Sequence, residues 1–309
     1  MLSALRNLLL LVVAIASLAC CTARDYDVIS AGSSHTCIVT DPEGTIKCTG
    51  ENMEYGQAPL EAAGKGKFIQ VSSGMMHTCG LLDIDADAPE SGMIRCWGKN
   101  HKEQAPAIKG SPTTPYKQVA AGAGGQTCAI TSTDSIECWG SNFAGAATSA
   151  IPGSYIQVDA GTYHTCAVSN DKNLRCWGSN WFGQAPKAFG NGNIEQVSCG
   201  FHHSCVTYTN GTVECFGDNE ANAVGTQAIG ASQVTAGGHH TCAMLSTGLE
   251  VTCWGDNVYG QAPSTVVPAN DGEKFKAISA GATHTCAYVV NAATGVYTNR
   301  QCWGFNVSE

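Results

Sequence analysis

Histidine and cysteine recur together along this chain, and together they could hold zinc or form disulfide bonds. Six histidines each stand two residues before a cysteine, and Gln126 takes the seventh place; the six are His35, His77, His164, His203, His240 and His284. A second cysteine follows each time, with nine to sixteen residues between the two. Zinc knuckles space their cysteines two to four apart, so the spacing favours disulfides and predicts no cofactor.

The cysteines therefore fall into seven predicted pairs, one in each repeat. These are Cys37 with Cys48, Cys79 with Cys96, Cys128 with Cys138, Cys166 with Cys176, Cys205 with Cys215, Cys242 with Cys253, and Cys286 with Cys302. Cys199 has no partner and replaces a small residue of the other repeats, which predicts a buried, inert thiol. Regular pairs of this kind indicate an oxidising compartment.

The first 23 residues have the pattern of a secretory signal. Arg6 precedes an apolar run from Leu8 to Ala19, which is too short to span a membrane, and small residues lead to a predicted cleavage after Ala23. We therefore expect residues 24–309 to form one secreted, extracellular and monomeric domain. The net charge of −9 disfavours binding to nucleic acid or to anionic membranes.

Short β-strands must position the paired cysteines. In the fourth repeat, residues 155–160, 164–168 and 174–177 predict three strands broken by turns, and antiparallel pairing of the last two sets Cys166 opposite Cys176. Seven such repeats of about forty residues predict an all-β fold, a seven-bladed β-propeller of short antiparallel blades. The N-terminal strand at residues 26–30 is expected to close the ring against the last repeat.

The repeat also resembles a known family. Its pattern Val-x-Ala-Gly-x-x-His-Thr-Cys-Ala-Val, followed by Cys-Trp-Gly-x-Asn-x-x-Gly-Gln-Ala-Pro, is clearest at residues 158–186. It is similar to the repeat of the regulator-of-chromosome-condensation family, whose fold β-lactamase-inhibitor protein II shares. The resemblance covers residues 26–306 and implies a seven-bladed propeller, but no single activity, since its members include a nuclear nucleotide-exchange factor and an extracellular inhibitor. Nucleotide exchange is not carried over to an exported, acidic chain.

Several recurring residues have structural interpretations. The repeat histidines are expected to hold the local turn, because Gln126 replaces one without loss of the pattern. An asparagine in every repeat is expected to close a turn with its side chain; the seven are Asn52, Asn100, Asn142, Asn180, Asn219, Asn257 and Asn306.

Asn210 is the better of two predicted glycosylation sites, the other being Asn306. Residues 83–87 resemble the start of a calcium loop, but Ala88 and Ile94 stand where its glycine and glutamate belong.

Aromatic residues and histidines occupy the variable positions of two loops that the strand order places on one rim. They are Tyr163, Phe201, His202 and His239 from the first loop, and Tyr55, Phe143, Trp181, Phe182 and Tyr259 from the second. Aromatic residues dominate binding hot spots, although some of these could instead pack between neighbouring loops. The sequence predicts a binding module for an extracellular protein. The alternatives are a glycan-binding propeller, an enzyme with its site at the mouth of the central channel, or a structural matrix protein.

Overall fold

Seven antiparallel sheets make up the protein, and each corresponds to one sequence repeat. The computed structural model describes residues 28–40, 42–52, 54–59, 66–83 and 89–305. Within them, the blades in chain order are: blade 1, β1 (Ile29–Ala31), β2 (His35–Thr40) and β3 (Thr45–Gly50); blade 2, β4 (Phe68–Ser73), β5 (His77–Leu82) and β6 (Ile94–Gly98); blade 3, β7 (Tyr116–Ala121), β8 (Gln126–Thr131) and β9 (Ile136–Gly140); blade 4, β10 (Tyr155–Ala160), β11 (His164–Ser169) and β12 (Leu174–Gly178); blade 5, β13 (Ile194–Cys199), β14 (His203–Tyr208), β15 (Thr212–Gly217) and β16 (Gly225–Ala228); blade 6, β17 (Ala231–Ala236), β18 (His240–Leu245) and β19 (Val251–Gly255); blade 7, β20 (Glu273–Ala280), β21 (His284–Asn291) and β22 (Tyr297–Gly304).

The second strand of each blade is central and almost entirely buried, which explains the run of residues His-Thr-Cys-Ala-Val there. In blade 4, β11 pairs with β10 on one side and β12 on the other, and Cys166 lies opposite Cys176. The same register brings all seven predicted cysteine pairs together as disulfides. Cys199 is a free, buried thiol, as predicted.

Apolar cores lie between neighbouring blades. The indole of Trp177, at the end of β12, packs on a cluster that contains Ile136 of blade 3 and Tyr155 and Val158 of blade 4. Its Nε1 donates a hydrogen bond to the carbonyl of Ala146, 3.1 Å away. The tryptophan therefore joins one blade to the preceding blade, while the cysteine on the adjacent strand position joins strands within a blade.

The first strands line the central channel, and side-chain hydrogen bonds link each of them to the next. The amide of Gln157 accepts the N–H of Val197 at 2.9 Å and donates to its carbonyl at 3.1 Å. Glutamines bond the next blade in this way from five of the seven blades, at Gln70, Gln118, Gln157, Gln196 and Gln233. The seam is also closed, because Ala31 N–H donates to Ser279 Oγ at 2.9 Å. The predicted closure of β1 against the last repeat is confirmed.

Blade 5 differs from the other blades by its fourth strand. β16 pairs with β15 from Thr212 opposite Ala228 to Cys215 opposite Gly225, and all its residues are exposed. Four other blades have a single isolated bridge near the corresponding place, such as Leu174 with Phe189. Sequence reasoning placed three strands in every repeat and did not predict β16.

Some predictions concern residues that the structure does not describe. The signal peptide, the residues 84–88 of the calcium-like loop, and Asn306 all lie outside the described ranges. Among the described residues, no helix has the length and apolar character required to cross a membrane.

We expect peptide mapping without reduction to recover the seven disulfides, each within one repeat. The loops they close are 10 to 17 residues long, and each adds about 2–3 kcal/mol by restricting the unfolded chain. The thiol of Cys199 should react with an alkylating reagent only after denaturation. A disulfide joining two different repeats, or a Cys199 that reacts in the folded protein, would contradict this assignment.

Candidate functional site

Two variable loops of every blade lie at one end of the ring, which we call the upper rim. In blade 4, His164 at the start of β11 lies opposite Gly178 at the end of β12. The backbone N–H of Ser179 donates to the carbonyl of Tyr163 at 2.7 Å. The loop before β11 and the loop after β12 are therefore neighbours. The turns between second and third strands lie at the opposite end, the lower rim.

A set of internal contacts that recurs from blade to blade builds the second loop and leaves its tip exposed to solvent. Asn180 Oδ1 accepts the N–H of Ala185 at 2.7 Å, and Gln184 Oε1 accepts the N–H of Phe182 at 2.9 Å. The predicted turn-closing role of the asparagines is confirmed at the six described positions. Trp181 and Phe182 lie between these anchors and are 73% and 49% exposed.

Seven of the nine predicted rim residues lie in two sets of ring contacts across blades 3 to 6, which meet at the neighbouring residues Trp181 and Phe182; together we call them the aromatic ridge. It consists of Phe143, Tyr163, Trp181, Phe182, Phe201, His202 and His239. The ring of Phe143 lies 4.7 Å from Tyr163 and 6.2 Å from Trp181 between centroids. Phe182 contacts His202 at 5.3 Å, and His239 lies 6.3 Å from His202 and 6.2 Å from Phe201.

The other two predicted residues belong to separate pairs on the same rim. Tyr55 lies edge-on to His101 at 5.7 Å, with the ammonium of Lys99 over its ring at 5.2 Å. Tyr259 packs on Phe305 at 5.0 Å. Sequence reasoning missed His101 and Phe305. Phe305 occupies the variable position x of Trp-Gly-x-Asn in the last repeat, at the start of the second rim loop. Its place in the repeat could therefore have identified it as a rim residue.

Packing between loops accounts for only part of the ridge. Neighbouring loops do contact each other through the rings of Phe143 and Tyr163. Even so, 51% of Phe143 and 73% of Trp181 remain exposed to solvent. None of the ridge residues belongs to an apolar core cluster of the described chain. The ridge is an apolar surface that the fold itself does not require.

A belt of buried histidines lies directly beneath the upper rim. His77 Nε2 lies 2.9 Å from the hydroxyl of Thr127 in the next blade, and that hydroxyl donates its single proton to the carbonyl of Gln104 at 2.8 Å. The imidazole must therefore donate from Nε2. Burial, and then the neighbouring His35, lowers the pKa of His77 to about 4, so the ring is neutral at pH 7. The histidines thus join blades through Nε2.

The glycine of Gly-x-x-His makes room for this belt. A Cβ at Gly74 would lie 2.7 Å from both His77 Cε1 and the carbonyl oxygen of Gly122 in the next blade. Such a distance is a clash, so a larger residue would push the imidazole away from its partner. Gln126 fills the seventh place and donates from Nε2 to the carbonyl of Gly161 at 2.8 Å, which preserves the bond between blades.

Small residues line the mouth of the central channel on the upper rim. The cavity there is about 60 Å³ and is lined almost wholly by glycine, alanine and serine, with Cys199 as its one ionisable side chain among the described residues. Burial, and then the nearby Asp159, raises the pKa of the Cys199 thiol. A buried thiol that stays protonated is a poor nucleophile.

Asp159 is the one ionisable group that lines the deeper part of the channel, a cavity of about 100 Å³, among the described residues. Its carboxylate accepts the N–H of Cys199 at 2.7 Å and of Ala160 at 2.9 Å. Burial raises its pKa to about 6, against the effect of these hydrogen bonds. In five other blades a serine or threonine at this position accepts one N–H of the next blade, whereas Ala120 cannot. Asp159 compensates by also binding the N–H of Ala160, which Ala120 leaves unpaired.

One group of potential metal ligands lies near the channel, but one of its three residues is in a disulfide. His164, Cys166 and Cys199 have ligand atoms within 4.8 Å of one another. Cys166 is disulfide-bonded to Cys176, and His164 Nε2 is 2.7 Å from the hydroxyl of Ser204. Cys166 could bind a metal only after its disulfide is reduced.

Comparison with known proteins places these features in a family. The model of the regulator of chromosome condensation (RCC1) repeat matches residues 28–57, 155–184, 194–222 and 231–261, which correspond to blades 1, 4, 5 and 6. Four of the seven blades are thus RCC1 repeats, and each of the seven blades is stapled by a disulfide. A search among curated proteins gives no significant sequence match to this RCC1-repeat protein.

Solved structures share the fold of this RCC1-repeat protein at low sequence identity. The crinkly WD40 ectodomain of the Arabidopsis thaliana receptor kinase ACR4 superposes with a TM-score of 0.68 at 23% identity, covering 91% of this chain and 96% of that one. The ectodomain of the Physcomitrella patens receptor kinase CR4 superposes with a TM-score of 0.67 at 20% identity, covering 89% of this chain and 72% of that one. Prp20p of Saccharomyces cerevisiae superposes with a TM-score of 0.68 at 16% identity, covering 88% of this chain and 82% of that one. These similarities establish the propeller fold alone.

Asn210 lies on the lower rim, away from the ridge. It is exposed in the turn between β14 and β15, where its Oδ1 accepts the N–H of Thr212 at 3.0 Å. We expect a glycosylating eukaryotic host to attach a glycan at Asn210, detected by mass spectrometry and absent from an Asn210→Gln variant. Partner binding should survive enzymatic deglycosylation. Loss of binding with the fold intact would place the contact surface near this turn instead.

Proposed function

We propose that this RCC1-repeat protein is an extracellular binding module that recognises a protein partner through the aromatic ridge. The observation that carries the proposal is the ridge itself, two adjoining sets of ring contacts outside the apolar cores. Four of its seven residues are exposed and three are half-buried; the exposed ones are Phe143, Trp181, Phe182 and His239. Aromatic side chains supply much of the binding energy at protein interfaces because they bury a large area and lose little conformational freedom.

The disulfides support the extracellular part of the proposal. Seven disulfides in a single domain point to an oxidising compartment, since cytosolic thiols are kept reduced. Two of the similar structures are ectodomains of receptor kinases, which shows that the same fold serves outside the cell in other proteins.

The proposal gives the channel mouth no catalytic role. The one ionisable side chain that lines the described mouth is the thiol of Cys199, and burial and the nearby Asp159 raise its pKa, which makes it a weak nucleophile. The ridge, by contrast, presents exposed ring surface, which suits binding.

The proposal can be tested by affinity capture from the native extracellular fluid with three baits. The baits are the wild type, the ridge variant Tyr163→Ala/Trp181→Ala, and the control variant Leu249→Ala/Val296→Ala, which removes side chains that are 52% and 57% exposed on the lower rim. We expect one partner on the wild type and the control that is absent from the ridge variant. Recovery on all three baits would contradict the proposal, and loss after glycosidase treatment of the fluid would identify a glycan ligand instead.

A further inference from the structure

The charges of the described chain are distributed unequally between the two rims. Its four ion pairs are Arg95 with Glu90, Lys109 with Glu137, Lys117 with Asp134, and Lys172 with Glu195. All of them involve residues in the lower turns or in the strand segments next to those turns. None involves a carboxylate of the upper rim.

The upper-rim carboxylates of blades 5 and 6 border one end of the aromatic ridge. Asp218 N–H donates to the carbonyl of His202, and Asp256 N–H donates to the carbonyl of His239, both at 2.9 Å. Glu220 lies two residues after Asp218 in the same loop. The loops at residues 216–224 and 254–265 contain no lysine or arginine. Three carboxylates thus lie beside the histidine pair without a positive charge in either loop.

These carboxylates differ in how many of their oxygens the protein uses. Asp256 accepts the N–H of Val258 through Oδ1 at 3.1 Å and the side-chain amide of Gln261 through Oδ2 at 2.9 Å. Asp218 accepts only the N–H of Glu220, through Oδ1 at 3.1 Å, and Glu220 is exposed. Asp256 therefore holds its loop, whereas Asp218 and Glu220 have acceptor oxygens directed to no lysine or arginine in the described chain.

The ring of His202 does not cancel this negative charge at neutral pH. Burial, and then the proximity of His239, lowers the pKa of His202 against the opposing effect of Asp218, so this ring is mostly uncharged at neutral pH. The end of the ridge at blade 5 consequently combines two carboxylates with the rings of Phe182, His202 and Phe201. Aromatic faces attract cations, and carboxylates bind guanidinium and ammonium groups with strong hydrogen bonds.

We propose that Asp218 and Glu220 form an acceptor site for a lysine or arginine side chain of the partner, next to an apolar residue that packs on the ridge. This inference rests on the proposed function and names the chemistry of the segment recognised, a basic peptide segment with an adjacent large apolar residue. Charge complementarity selects this occupant, because an acidic segment would be repelled, and a neutral glycan would donate hydroxyl hydrogen bonds but leave the charge of the two carboxylates without a counter-charge.

The test is selection of a random peptide library displayed on phage against immobilised full-length mature protein. Peptides enriched on the wild type are then synthesised and titrated against three variants: Asp218→Asn/Glu220→Gln, Tyr163→Ala/Trp181→Ala, and the control Glu51→Gln/Glu54→Gln, which removes two carboxylates of the same rim on blade 1. The Asp→Asn and Glu→Gln substitutions keep side-chain size, so folding of those two variants should be unaffected, and a thermal melt checks the fold of all three.

The inference expects enriched peptides that carry lysine or arginine beside an aromatic or large aliphatic residue. Their Kd should rise about tenfold on Asp218→Asn/Glu220→Gln and rise further on the ridge variant, while the blade 1 control should bind as the wild type does. Raising the salt concentration from 0.05 to 0.5 M should weaken wild-type binding and have less effect on the Asp218→Asn/Glu220→Gln variant.

Other results separate this inference from the proposed function. Peptides that depend on Tyr163 and Trp181 but carry no basic residue, or that bind the Asp218→Asn/Glu220→Gln variant normally, would overturn the inference and leave the ridge as the binding surface. An equal loss of affinity on the blade 1 control would show that the effect comes from the overall charge of the protein, and this result would also overturn the inference. Absence of any peptide that depends on Tyr163 and Trp181 would count against the proposed function and the inference together.

Discussion

Acidification from pH 7 to pH 4 is expected to remove most of the folding free energy while every disulfide stays intact. Burial above all lowers the pKa of the six belt histidines to about 3 or 4 in the folded protein; they are His35, His77, His164, His203, His240 and His284. An unfolded histidine titrates near 6.5. Below pH 6.5 the unfolded chain therefore binds protons that the folded chain cannot bind until about pH 4, so stability falls as the pH falls through this window.

The magnitude of the effect follows from the difference in pKa. Each belt imidazole contributes about 3 kcal/mol that is present above pH 6.5 and lost near pH 4. Asp159 acts in the opposite direction, because burial raises its folded pKa to about 6. Its protonation on acidification therefore stabilises the folded state by about 3 kcal/mol between pH 6 and pH 4. One carboxyl group cannot offset six imidazoles, so the net change is destabilising.

The measurement is guanidinium unfolding at pH 7.5, 6.5, 5.5 and 4.5 with the disulfides intact. The matched variant is His164→Gln, because glutamine already fills the same place at residue 126 and donates a hydrogen bond to the next blade. It should fold at pH 7.5. On acidification its free energy of unfolding should fall less than that of the wild type, by about the 3 kcal/mol that one imidazole contributes. A free energy of unfolding that stays constant between pH 6.5 and pH 4.5 would show that the folded belt accepts protons, contrary to its buried hydrogen bonds.

The disulfide register and the position of the loops were predictable because local rules determine them. Antiparallel pairing of β11 with β12 puts Cys166 opposite Cys176. Because the chain reverses direction between β10 and β11 and again between β11 and β12, the loops before β11 and after β12 lie on the same rim. Both conclusions need only strand alternation and turns, without knowledge of how blades pack. The seven disulfides and the shared rim of Tyr163 and Trp181 follow from these rules.

Contacts between blades were harder to predict because they depend on the distance and rotation of one sheet relative to the next. Gln157 is an example, since its side chain bonds to the backbone of Val197 forty residues later. The signal was present in the sequence, where five repeats place glutamine on the first strand at a buried position. A buried amide that recurs in register requires a partner, and a neighbouring repeat is the nearest place to find one. The contact of Phe182 with His202 also crosses a blade boundary and has no signal of this kind.

Replacing Tyr163 and Trp181 together by alanine is expected to weaken binding of the captured partner about a thousandfold. Hot-spot aromatics contribute about 2 kcal/mol or more each, and 4 kcal/mol corresponds to roughly three powers of ten in Kd. The melting temperature should change little, because Trp181 is 73% exposed and neither residue belongs to a core cluster. Tyr163 loses its ring contact with Phe143 at 4.7 Å, which is worth about 1 kcal/mol.

The result is interpretable only beside a variant that removes a similar apolar area elsewhere. Leu249→Ala/Val296→Ala removes exposed aliphatic side chains from two turns of the lower rim, and its affinity should equal that of the wild type. Titration calorimetry gives Kd for the three proteins, and circular dichroism melts give their stability. Unchanged affinity of the Tyr163→Ala/Trp181→Ala protein would show that the ridge is not the contact surface. A large drop in its melting temperature would show that the two rings support the loops rather than a partner, since a binding residue can be removed without loss of the fold while a packing residue cannot.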